Sequence, residues 1–157
     1  MKKSSFVFIF LSFLTLESFA QTPVIKFDRL QKILSTSSNE IQVINFWATW
    51  CAPCVKELPL FEKLQAENTG KVKVTLISLD FADKVDKVDA FVKRKEMKSE
   101  VLLLDEIDYN SWIDKVDERW SGAIPATIIL NTKTGQRKFV GKEVKEGELE
   151  KLIAELD

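Results

Sequence analysis

Cys51 and Cys54, separated by Ala52-Pro53, are the only thiols in the chain. Two intervening residues let the second thiol reach a disulfide made by the first and resolve it, the chemistry of thiol–disulfide exchange. The pair follows a predicted strand and opens a predicted helix. A helix start carries unpaired N–H groups and positive partial charge, and both stabilise the thiolate that attacks. Cys51, at the tip, is the expected attacking residue; Cys54, one turn in and more buried, is the expected resolving residue. Other uses of the pair fit less well. A purely structural bridge closing so small a loop removes little chain entropy. Two sulfurs are an incomplete zinc shell, and Val55 stands where haem attachment needs histidine.

The chain of 157 residues has no histidine at all, which excludes His-ligated metal or haem, Cys–His or Ser–His catalysis and a histidine pH switch. Apolar residues make up 45% and charged residues 30%, the balance of a globular domain rather than a disordered one. Lys+Arg total 23 against Asp+Glu 24, so no bulk charge attracts nucleic acid or anionic lipid.

The elements that must hold the cysteines can be read from periodicity. Ile41 to Trp47 is a short apolar run, read as a buried strand leading directly to the motif. Val55 to Glu67 reads as a helix interrupted by Pro59, which should kink it. Val72 to Leu79 and Val101 to Leu104 read as further strands, with a helix between them marked by Val85, Val88, Phe91 and Val92. The mixed charges of Asp83 to Lys98 read as that helix's solvated face. Tyr109, Ile113, Val116 and Trp120 form a helical stripe. Trp120 on that stripe is expected in the core, and Trp112, off it, at a partner surface. Ala126 to Leu130 and Gln136 to Val140 flank a hairpin loop, and Leu149 to Leu156 closes the chain as a helix. Phe27 to Leu34 reads as an opening helix, and Val24 to Lys26 as a short edge strand. Alternating strands and helices argue a largely parallel sheet covered on both faces, with an antiparallel hairpin at one edge.

Trp47 to Pro59, WATWCAPCVKELP, resembles the active-site motif of the thioredoxin superfamily, and most closely its extracytoplasmic thiol-disulfide reductase branch, often called TlpA/ResA-like. The branch pattern W-C-x-P-C-x-x-E-x-P is matched by Trp50, Cys51, Pro53, Cys54, Glu57 and Pro59. The resemblance implies an α/β thioredoxin fold: a central mixed β-sheet flanked by helices on both faces, with a helical insertion near the third helix. It also implies a cis-proline loop opposite the cysteines. Pro125, after Ile124, fits that loop, although Ala126 follows it and Thr127 comes one place later than usual. A turn there would expose the Ile124 backbone for strand-like pairing with substrate. Trp50, Pro53, Ile124 and Pro125 are accordingly the expected substrate-binding residues. Where thioredoxin has a buried aspartate that assists proton transfer, this chain has Asn45, which cannot titrate. Asn45 is expected to tie the strand to the active-site helix. The candidates for the proton relay are then Glu57, Asp80 and Asp83, with solvated surface acids as the competing reading.

The first twenty residues read as a signal peptide. Lys2 and Lys3 precede an apolar run, Phe6 to Leu16, and Ser18-Phe19-Ala20 supplies small residues at the cleavage positions. The run is shorter than the ~20 residues of a membrane span. Residues 21–157 then form a single thioredoxin-like domain exported to the periplasm or cell envelope, where disulfides persist; the alternative is an uncleaved N-terminal anchor. The expected activity is reduction of disulfide-bonded protein substrates, with electrons from another dithiol protein and no organic cofactor or metal. Ala52-Pro53 offers the thiolate neither charge nor side-chain donor, which favours a reducing role. A non-catalytic module holding an extended peptide is the rival, and the intact cysteine pair argues against it.

Overall fold

The computed structural model describes residues 21–156; the proposed signal peptide lies outside the described residues. The centre of the molecule is β2 (Ile41–Trp47), every residue of which is buried. A strand covered on both faces needs apolar side chains on both, so its sequence shows no apolar/polar alternation. The two faces are nonetheless distinct. Val43 and Trp47 point into one core with Phe61, Leu76, Phe91 and Leu149. Ile44 and Phe46 point into a second core with Leu30, Trp120 and Ile128.

Six strands are ordered β1-β4-β3-β2-β5-β6. β3 (Val72–Ser78) runs parallel to β2, with Trp47 opposite Ser78. β4 (Glu100–Leu104) runs parallel to β3, and the two-residue β1 (Val24–Ile25) runs parallel to β4. On the other side β5 (Ala126–Asn131) is antiparallel to β2, and β6 (Gln136–Val140) completes the hairpin. Between β2 and β3 the chain crosses through α2 (Ala52–Glu67), which continues through Pro59 as one helix. The other helices are α1 (Phe27–Ser35), α3 (Val85–Lys95), α4 (Ile113–Val116) and α5 (Glu148–Ala154). The expected helical insertion contributes a strand as well: α3 leads into β4, which is inserted between β3 and β1.

One expectation fails. The stripe from Tyr109 to Trp120 is not a continuous helix: a 3-10 turn at Tyr109–Ser111 and the four-residue α4 replace it. The tighter turn shifts the phase of the side chains. Trp112, expected at a partner surface, is buried among Phe27, Tyr109 and Trp120, while Tyr109 is the aromatic left exposed. Trp120 packs at 4.5 Å on Phe46, in the core as expected.

Candidate active site

The site forms where β2 stops and α2 starts. Cys51 is the N-cap of α2 and is extended in conformation. Its carbonyl accepts from Val55 N at 3.0 Å, and its sulfur accepts from Cys54 N at 3.3 Å. That is a side-chain cap made by sulfur, and it sets a free N–H of the first turn of α2 against Cys51 Sγ. Cys51 and Cys54 are joined as a disulfide, with Cα atoms 5.3 Å apart. Cys51 retains 6% of its surface and Cys54 none, so the outer and inner sulfurs are ordered as the sequence suggests, with Cys51 less exposed than a tip position implies. Pro53 is exposed, within the first turn of α2.

The sheet register brings the second loop to the first. Ala126 pairs with Phe46 and Thr127 with Asn45, so the residues just before β5 lie beside the end of β2. The Ile124–Pro125 peptide there is cis. Ile124 O lies 3.9 Å from Cys51 Sγ. Trp50 stands at the rim, largely exposed.

The three acids fall in different environments. Glu57, three residues beyond Cys54 on α2, is 1% exposed. Its Oε1 accepts from Asn45 Nδ2 at 2.8 Å and its Oε2 from Val144 N at 2.7 Å. Burial pushes this carboxyl up to about 7; the hydrogen bonds from Val144 and Asn45 oppose the shift. Asn45 thus ties β2 to α2, and it also donates to Thr127 Oγ1 at 3.1 Å on β5. Its Oδ1 is buried without a partner. Asp80 is buried too, but its carboxylate is committed to the β2–α2 turn. It accepts from Thr49 N at 2.8 Å, Thr49 Oγ1 at 2.6 Å and Ser78 Oγ at 2.8 Å. Asp83 is exposed and ion-paired with Lys84 at 2.6 Å. Of the three, Glu57 alone shares the helix and the interior with Cys54.

Two parts of this arrangement are not visible in the sequence. The donor that holds Glu57 is a main-chain N–H 87 positions away, and no residue type announces it. The Asp80 clamp on Thr49 joins residues 31 positions apart, and nothing in the chain pairs them.

The AhpC/TSA family description matches residues 20–135 of the chain. The thiol-disulfide oxidoreductase ResA of Bacillus thuringiensis subsp. konkukian is 37% identical over 109 residues, which are 66% of this chain and 56% of that protein. The thioredoxin-like protein YneN of Bacillus subtilis is 40% identical over 62 residues, 39% of this chain and 36% of YneN. The matched stretches therefore span from about a third to just over half of these relatives. Among solved structures, the thioredoxin-related protein of Neisseria meningitidis serogroup B superposes with a TM-score of 0.66 at 26% identity, covering 79% of this chain and 91% of that one. StoA of Bacillus subtilis superposes with a TM-score of 0.57 at 22% identity, covering 76% and 86%, a likeness of fold.

Proposed function

Because the chain belongs to the AhpC/TSA family and has a thioredoxin-like fold, we propose that it is a thiol-disulfide oxidoreductase that reduces protein disulfides. The observation that carries this reading is the position of Cys51 Sγ, capped by Cys54 N at the start of α2 and 3.9 Å from Ile124 O. In the dithiol form the Cys51 thiolate attacks one sulfur of a substrate disulfide. The substrate S–S bond breaks, a mixed disulfide forms, and the departing thiolate takes a proton from solvent. Cys54 then attacks Cys51 Sγ, the second substrate thiol leaves, and the two electrons supplied to the substrate leave Cys51–Cys54 oxidised. Cys54 must lose its proton for that step, and Glu57, at one helical turn's remove, is the acceptor best matched to neutral pH. Trp50, Pro53, Ile124 and Pro125 line the approach. A second dithiol protein returns the pair to its reduced form. The N-terminal pattern supports a location outside the cytoplasm.

The test is insulin reduction by the full mature chain with a dithiol donor in excess, joined to trapping. Cys54→Ser is expected to accumulate covalent substrate adducts, and Cys51→Ser to form none. Intact insulin disulfides after prolonged incubation, or adducts on Cys51→Ser alone, would overturn the assignment.

A further inference from the structure

Among the described residues five large apolar side chains are exposed, and four of them gather at one end of the sheet. Trp50 (67% exposed) follows β2, Phe81 (62%) follows β3, and Ile107 (78%) and Tyr109 (42%) follow β4. These three strands are parallel, so their carboxyl ends coincide, and the end of β2 is where Cys51 sits. Unrelated surface apolar residues would be scattered; a cluster at these strand ends marks a binding face.

Two clefts run through this cluster. The first, about 350 Å3, has Trp50 and Tyr109 as rims, Leu79, Ile113 and Ile124 as apolar walls, and no charged residue in its lining. The second, about 170 Å3, shares Leu79 and Tyr109 with the first. It adds Phe81 and Ile107, and four acids line it: Asp80, whose carboxylate is held by Thr49 and Ser78, then Asp83, Asp105, and Glu106, whose Oε1 accepts from Phe27 N at 3.0 Å. Lys84 pairs with Asp83 in an exposed pair of little strength, and Lys26 pairs with the part-buried Asp105.

We infer that the two clefts form one track for the substrate chain, and that the track accepts an extended disulfide-bearing segment with a large apolar side chain beside the attacked cysteine and a lysine or arginine beyond it, toward Phe81. This inference rests on the reductase reading. The uncharged cleft adjoining Cys51 takes the apolar side chain. The shared Tyr109 wall carries the segment on, and Asp83 and Glu106 of the second cleft meet the basic group while Phe81 and Ile107 cover its aliphatic stem. Tyr109 is held for this task by Trp112 beneath it, with ring centroids 6.1 Å apart.

The experiment follows single-turnover reduction by the full mature chain, pre-reduced with dithiothreitol. The substrates are short synthetic peptides, each carrying one cysteine in mixed disulfide with 2-mercaptoethanol. They vary the neighbouring residue (Leu or Ser) and the distal residue (Lys, Gln or Glu). The small disulfide hydroxyethyl disulfide is run alongside. The Leu peptides are expected to react about tenfold faster than the Ser peptides, and Lys about threefold faster than Gln, with the Lys advantage shrinking as salt rises. Ratios taken within each protein cancel any general loss of activity. Tyr109→Ala should bring the Leu/Ser ratio toward one. Asp83→Asn and Glu106→Gln should do the same to the Lys/Gln ratio. Equal rates across the peptides, or preferences that survive these variants, overturn the track while leaving the reductase reading intact. Failure to reduce even hydroxyethyl disulfide overturns the reductase reading, and the track with it.

Discussion

Glu57 is where a single residue decides most. It is buried between Asn45 and Val144, its carboxyl rises to about 7 from 4.5, and the chain has no histidine to titrate in the same range. The protonated form is therefore the one the fold favours. Its contribution to stability is fully present below the unfolded value and is lost as pH climbs through 7, by about 3 kcal/mol at most. Chemical denaturation of the oxidised protein, in which neither cysteine titrates, is expected to show a midpoint that falls between pH 5 and pH 8. Glu57→Gln, with nothing to ionise, should flatten that slope; a wild-type midpoint that is level or rises across the interval would contradict the buried, elevated acid. The residue type was legible in the motif, as was the expectation that Asn45 braces the strand against the helix. The burial was not, because an acid near a helix start is ordinarily solvated. What encloses this one is a loop from the far end of the chain.

At the scale of elements, the joint between β2 and α2 is fixed from the neighbouring strand. Asp80, just past β3, holds Thr49 by both its N–H and its hydroxyl, two residues before Cys51. Removing a buried acceptor strands its donors, which costs roughly 1–3 kcal/mol. Asp80→Ala and Thr49→Val are each expected to lower stability. The double variant is expected to lose less than the sum, by at least about 0.5 kcal/mol. Additive losses in a denaturation cycle would mean that the two residues act separately. Strands were the most readable elements: the bounds of β2 are those its apolar run suggests, and the bounds of β6 are those the hairpin loop before it suggests. Their composition is dictated by burial on both faces or by the hairpin, which are local facts. The segment from Tyr109 to Trp120 was misread because its apolar spacing fits a helix while its backbone follows a 3-10 turn and one short helical stretch. Its aromatic residues obey the packing of Phe27 and Phe46, distant in sequence, more than their own periodicity.

For the whole molecule, the order of strands and helices, the cysteine pair and the proline loop were all open to sequence reasoning, because each rests on short-range pattern or motif. The inserted position of β4 was not, since a strand's place in a sheet is a tertiary fact. The proposed export makes a prediction at this scale: N-terminal sequencing of protein recovered from the cell envelope should begin at Gln21, and a retained Met1 would favour an anchor. A last consequence comes from the sulfur cap on α2. The Sγ that secures the start of this helix is also an atom of the reversible bond. Folding and electron transfer therefore form two sides of one thermodynamic square. The difference in unfolding free energy between the disulfide and dithiol forms must equal the free energy by which folding displaces the pair's potential from that of the same two cysteines in an unstructured chain. Each kcal/mol by which the dithiol form outlasts the disulfide form makes the protein a stronger oxidant, and each kcal/mol in the other direction a stronger reductant. Paired denaturation curves thus measure, without an electrode, how far folding displaces the pair's potential.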